Sequence, residues 1–162
     1  MESITATFFD LVRGQMPAVE QRMRSSSEGH HPELQEAVNQ LLASGGKRVR
    51  PTLVLLTGGM VGADGDRLTT LAAAIEMLHT ATLVHDDLID QASLRRGTPT
   101  LNTQWTPGAT VLTGDYIFAR AARLAARTGS LTVMESFADT LMTIVNGEIT
   151  QLFGPDGITT RD

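Results

Sequence analysis

The chain has no cysteine, which excludes a disulfide scaffold, thiolate zinc sites, CxxC redox chemistry and a cysteine nucleophile. That absence fits a reducing compartment, and a cytoplasmic location is the expectation. No stretch approaches the roughly 18 uncharged apolar residues that a membrane-spanning helix requires. The opening MESITATFFD lacks the basic start of a signal peptide. Lysine is almost missing: Lys47 stands alone against twelve arginines. The net charge of -5 leaves too few cations to neutralise many phosphates, so no nucleic-acid partner is expected. Period-two alternation is also lacking, whereas apolar residues recur at spacings of three and four along most of the chain. The expected fold class is therefore all-α.

What the sequence does contain is 162 residues, 41% apolar and 19% charged, the make-up of one globular domain over residues 1–162. The periodicity predicts a first helix over 3–23, bent at Pro17, because an interior proline removes a hydrogen bond. A polar loop over 25–31 follows. Pro32 opens a helix to Ala43, which Ser44-Gly45-Gly46 ends. The next helix runs over 48–60 with Pro51 in its first turn, and 58–66 form a flexible turn. A long helix rich in Ala and Leu is predicted over 67–94, stopped by Gly97-Thr98-Pro99. Further helices are predicted from 106–108 through 127 and over 131–153, ahead of a polar tail.

The long helix carries Glu76, His79, Leu83, Asp86, Asp87 and Asp90 at spacings that place them on or near one face. Two carboxylates one turn apart, about 5 Å, repel by about 3 kcal/mol at an effective dielectric of ~20. A solvated stripe would dissipate that energy, but the flanking turns are apolar enough to be core. The acids therefore sit at the mouth of a cleft and call for a counter-ion. Hard oxygen ligands in this spacing suit Mg²⁺, which takes one or two carboxylates and fills its shell with water and substrate phosphate oxygens. A diphosphate substrate bridged by magnesium is the expectation. His79 and His85 fall on different faces, which disfavours zinc.

Two basic segments match that expectation. Gly45-Gly46-Lys47-Arg48-Val49-Arg50-Pro51 puts three cations and a tight glycine turn at a helix entry, which makes an anion site. It is not a P-loop, since GxxxxGK[ST] is absent. Arg95-Arg96-Gly97 follows Asp90 closely. At the predicted end of the long helix the helix dipole accounts for one arginine, and two beside three aspartates suggest a grip on phosphate oxygens.

GGKRVRP (45–51), ExxH (76–79), HDDLID (85–90), LRRGTPT (94–100), GDY (114–116) and GEITQ (147–151) together resemble the trans-isoprenyl diphosphate synthases, also called polyprenyl synthetases. The resemblance implies an all-α bundle of the isoprenoid-synthase type. It also implies condensation of isopentenyl diphosphate with an allylic diphosphate, assisted by Mg²⁺, to a medium- or long-chain trans-polyprenyl diphosphate. By position, Lys47, Arg50 and His79 match the isopentenyl diphosphate pocket, with Arg96 as a further diphosphate contact. Arg95 matches the contact to the allylic diphosphate. Asp86 and Asp90 match the magnesium ligands, with Asp87 in support, and Gln151 sits where the family has a glutamine near the allylic chain.

The family's second half, with its KT and FQ pairs and second aspartate-rich cluster, has no counterpart here. The chain is expected to be the N-terminal half of such a synthase, working as a homo-oligomer or paired with the missing C-terminal half. An apolar face beside the long helix would otherwise be exposed. The small residues Ala81 and Thr82, five and four positions before Asp86, predict an open path for the hydrocarbon and products of C20 or longer. Two alternatives stand beside this reading. One is a noncatalytic subunit or interaction domain that binds isopentenyl diphosphate or a partner helical half. The other is a terpene cyclase or head-to-head condensing enzyme, in which GGKRVRP and the RRG pair would have no purpose.

Overall fold

A computed structural model describes residues 4–25 and 31–154 of the chain. The polar loop expected over 25–31 and the polar tail fall almost wholly outside the described residues. The predicted helices are present, with α1 at Ile4–Val12, α2 at Met16–Arg24, α3 at Pro32–Ala43, α4 at Val49–Met60, α5 at Gly65–Ile89, α7 at Pro107–Arg127 and α8 at Leu131–Phe153. The bend expected at Pro17 is instead a break at residues 13–15. Pro17 lies in the first turn of α2, where its missing N–H leaves no helical bond unmade.

The larger correction concerns the end of the long helix. It starts at Gly65, with Asp64 accepting a hydrogen bond from the Arg67 amide at 2.9 Å, and stops at Ile89 rather than residue 94. Gln91 takes a left-handed φ of 53°. The Ala92 amide reaches back to the Asp87 carbonyl at 2.9 Å, and the Gln91 amide to that of Leu88 at 3.3 Å. This is a Schellman stop with glutamine at the position that glycine usually fills, so no glycine marks it in the sequence. The chain then turns back through a two-stranded antiparallel hairpin, β1 at Leu94–Arg95 and β2 at Thr98–Pro99. Arg96 and Gly97 form its two-residue loop, both with positive φ, as a type I′ turn requires. Thr100 closes the hairpin, its hydroxyl donating to the Ala92 carbonyl at 2.6 Å. A short helix, α6 at Leu101–Gln104, links the hairpin to α7. Arg95 and Arg96 thus sit on a β-turn, and the helix dipole does not explain them.

The core forms around α5. Ala72, Ala73, Ala74, Met77, Leu78, Ala81 and Val84 are buried there, together with Glu76 and Asp87. Small alanines let α7 approach closely, contributing Ile117, Ala121, Leu124 and Ala125, while α2 and α4 cover other sides with Val19, Met23 and Leu55. A helix apolar on nearly every side belongs in the interior. An exposed apolar surface beside α5 is carried by α8, which buries only Phe137 and exposes Leu131, Met142, Val145, Ile149, Leu152 and Phe153. No helix among the described residues is long and apolar enough to cross a membrane.

Candidate functional site

The two faces of α5 near its C-terminal end open onto different spaces. On one side the segment between α3 and α4 meets the β-hairpin around a cavity of about 410 Å³, lined by Lys47, Arg50, His79, Asp87, Arg95 and Arg96 among others. Gly45 has a φ of 73°, and a Cβ on Gly46 would lie 3.2 Å from the Arg96 guanidinium. That close approach lets Arg96 donate to the Gly45 carbonyl at 3.0 Å, tying the hairpin to the basic segment. Lys47, Arg50 and Arg96 are exposed, and among the described residues no ion pair engages them.

Two expected participants are already partnered. Arg48 points inward onto Glu76 and the Leu42 carbonyl, so the cations of its motif without an ion pair among the described residues are Lys47 and Arg50. Arg95 folds back on Asp87, its Nε donating to both carboxylate oxygens at 2.8 and 3.0 Å and its Nη2 lying 2.8 Å from Oδ1. The hydrogen bonds to Asp87 raise the Arg95 pKa against the cost of burial. Asp87 is therefore a buried counter-ion that aims Arg95. Burial holds His79 below its ordinary value, the cation of Arg50 adds to that, and Glu76 opposes it.

Asp86 faces the other way. It lines a cleft of about 330 Å³ between α5, α7 and α8, with mostly apolar walls that include Ile89, Val111, Phe118, Ile144 and Ile149. Burial raises the Asp86 pKa, and the charges of Glu148 and Asp90 raise it further, while Arg95 pulls it down. Asp90 is exposed at the C-cap of α5. The structure thus divides the single face expected from spacing: Glu76, His79, Leu83 and Asp87 line the cationic cavity, and Asp86 the apolar cleft. Thr82 lines this cleft too, whereas Ala81 is fully buried in the helix packing and does not. Gln151 is exposed on α8 and is not among the lining residues; Glu148, one turn earlier, is.

Sequence reasoning missed the contact that joins α5 to α7 at this level. The His85 Nε2 lies 3.2 Å from the Val111 carbonyl and 3.5 Å from Asp115 Oδ1, and its ring sits 5.5 Å from that of Phe118. Gly114 makes the space, since a Cβ there would stand 2.1 Å from His85 Nε2. The signal was a glycine inside a helix, which costs about 1 kcal/mol against alanine and so needs a packing reason.

Among the described residues no three His, Asp or Glu side chains converge to cage a metal alone. The fit to a divalent ion is that of a shared site. Asp86 is an acid disfavoured as an anion by burial and by the charges of Glu148 and Asp90, only partly offset by Arg95, and with Asp90 one turn on it is the type of carboxylate pair that suits a divalent ion whose shell phosphate oxygens complete.

Residues 31–161 match the family model described as polyprenyl synthetase. The chain belongs to the polyprenyl synthetase family. It is 38% identical over 144 residues to heptaprenyl diphosphate synthase component 2 of Geobacillus stearothermophilus, covering 89% of this chain and 45% of that protein. It is 41% identical over 121 residues to the octaprenyl diphosphate synthase of Escherichia coli strain K12, covering 72% of this chain and 38% of that one. Among solved structures, a decaprenyl diphosphate synthase from Rhodobacter capsulatus superposes with a TM-score of 0.88 at 39% identity, over 96% of this chain and 48% of the other. A Caulobacter crescentus polyprenyl synthase complexed with calcium and isoprenyl diphosphate gives a TM-score of 0.89 at 34% identity, over 94% and 47% respectively. This polyprenyl synthetase chain spans less than half the length of these relatives.

Proposed function

We propose that this chain is the N-terminal half of a polyprenyl diphosphate synthase that condenses isopentenyl diphosphate with an allylic diphosphate. The observation that carries the reading is the division of α5: a cationic cavity on one side, and aspartates above an apolar cleft on the other. Two diphosphates would thus be held so that the allylic carbon bearing its diphosphate meets the double bond of isopentenyl diphosphate beside the C-terminal end of α5, with the allylic hydrocarbon directed away into the cleft. Lys47, Arg50 and Arg96 would hold isopentenyl diphosphate, with His79 donating once protonated. Arg95, aimed by Asp87, would reach the allylic diphosphate. The lengthening chain would lie in the cleft past Thr82 and Phe118.

In the reaction the allylic C–O bond breaks and its electron pair leaves on diphosphate. The isopentenyl double bond attacks the freed carbon, and the released diphosphate takes the proton whose loss restores a double bond. Mg²⁺ held by Asp86 and Asp90 with diphosphate oxygens would supply the charge that stabilises the leaving group. The residues of this chain bind and orient, and none is needed as a nucleophile. The exposed apolar face of α8 is proposed to be covered by the second half of a longer polypeptide, with a second copy of this chain as the alternative cover.

Titration calorimetry with Mg²⁺ and a nonhydrolysable allylic diphosphate analogue tests the reading. Each should bind the chain far better in the presence of the other, because the carboxylates alone are a weak Mg²⁺ site. Tight metal binding without diphosphate, or no binding with it, would count against the assignment. Light scattering decides the cover of α8: a stable monomer in solution would contradict the copy-on-copy alternative.

A further inference from the structure

The basic segment that faces the cationic cavity contains a backbone anomaly. Arg48 has a φ of 48° and a ψ of 37°, the left-handed region in which a side chain crowds the backbone. Its side chain is nevertheless among the best anchored in the molecule. Nη2 donates to the Leu42 carbonyl at 2.8 Å, Nη1 to Glu76 Oε1 at 2.9 Å, and Nε to Glu20 Oε1 at 3.4 Å. Those partners belong to α3, α5 and α2 respectively. The arginine and Glu76 side chains are only 14% and 8% exposed, so the pair is shielded from water.

Resting on the function proposed above, we infer that Arg48 is a positioning residue: pinned to three helices through Leu42, Glu76 and Glu20, it fixes the left-handed turn that points Lys47 and Arg50 at an incoming diphosphate. Lys47, just before the left-handed Arg48, and Arg50, two residues after it, are both exposed, whereas the side chain between them goes in. Without the pin the segment would relax toward ordinary backbone angles, and its two exposed cations would lose their fixed spacing. A planar guanidinium with several donors in one fork can hold three acceptors at once, which a lysine ammonium on its flexible stem does poorly. Preorganisation of this kind gains affinity because the ordering of the loop is complete before the ligand arrives. Glu76 thereby supports anion binding although it carries a negative charge beside an anion site.

That last point gives the test a sign. Inorganic diphosphate is titrated calorimetrically into the 162-residue chain, into Glu76→Gln and into Arg48→Lys, with thermal melting of each. If Coulomb forces alone governed the site, removing the Glu76 charge would tighten diphosphate binding. The pin requires the reverse, a loss of about threefold or more in each variant, with the double variant no worse than the weaker single one. Unchanged or tighter binding by Glu76→Gln, or losses that simply multiply in the double variant, would overturn the inference. Amide hydrogen exchange over residues 45–50 reads the loop directly. It should quicken in both variants, and unaltered protection alongside lost affinity would mean that Arg48 contacts the anion itself. Should Glu76→Gln fail to fold, Arg48→Lys and the exchange measurement carry the decision. If the unaltered chain does not bind diphosphate at all, the proposed function fails, while exchange still decides the role of Arg48.

Discussion

The two sides of α5 differ in how nearly finished they are. On the cationic side every buried charge has a partner: Arg48 with Glu76, and Arg95 with Asp87. The exposed cations there stand on a turn and a hairpin whose left-handed residues cost about 1 kcal/mol each and are held by specific hydrogen bonds. On the aspartate side Asp86 is crowded by Glu148 and Asp90, and the cleft below it is walled by α8, a helix that buries a single side chain. The contrast teaches that the cationic cavity has its charges fixed by contacts within this chain, whereas the cleft has its acids crowded together and one wall formed by a largely exposed helix.

The sharpest way to break the contrast is to cut the link between its sides. Arg95→Ala strands the buried Asp87 carboxylate and should cost about 3 kcal/mol of stability, read from urea denaturation, because an ion left unpaired keeps its desolvation penalty. A midpoint unchanged from the parent chain would show that water reaches Asp87. Next in size, Lys47→Ala and Arg50→Ala should each weaken diphosphate binding about tenfold, the worth of a charge-assisted hydrogen bond, with little change in melting temperature. Asp86→Ala should spare that binding and abolish the metal-dependent uptake of an allylic analogue. In a complete enzyme the same changes should separate, the first two raising KM for isopentenyl diphosphate and the last lowering kcat.

Gly114→Ala should expel the His85 ring, destabilise the chain by about 1–2 kcal/mol and weaken allylic binding without affecting the cationic side, as calorimetry on both ligands would report. Within the cleft, Thr82→Phe in a complete enzyme should shorten the products. Ala81→Phe, at a position with no free space, should instead destabilise the fold, and product analysis with thermal melting distinguishes the two.

The smallest expected effect is on pH dependence. His79 is held below its ordinary value of 6.5, so the unfolded chain takes up a proton before the folded one does. Its contribution to stability is full above about 6.5 and declines as pH falls through that value toward the folded pKa. Bound diphosphate should oppose the shift, so that His79 takes up a proton on binding, measurable as a change in its ring resonances by NMR. Asp86 runs oppositely. Its raised pKa favours the folded state only at low pH, and that advantage is lost as pH rises through the folded value, which leaves a cost at neutral pH that a cation would relieve.

Much of this molecule was legible in its residues. Helical periodicity, Pro32 and Pro51 at helix starts and the Gly-Gly-Lys-Arg segment are local signals, and local signals predict helices and the cations that flank them. The motif order likewise marked the family before any contact was known. What the sequence could not disclose depends on the turn at residues 90–97. A Schellman stop on glutamine and a two-residue hairpin without Asn-Gly have no strong local signature, so helical periodicity alone extends the helix to residue 94. That turn alone brings Arg95 onto Asp87 and Arg96 onto Gly45. Helical spacing by itself placed Asp86 and Asp87 on one face, because adjacent residues differ by only about 100°. The packing of α7 and α8 on one side and the basic segment on the other decided which carboxylate meets the apolar cleft and which meets arginine. Charge and periodicity are properties of the chain, but the direction of a charge is set by the neighbours that exclude water around it.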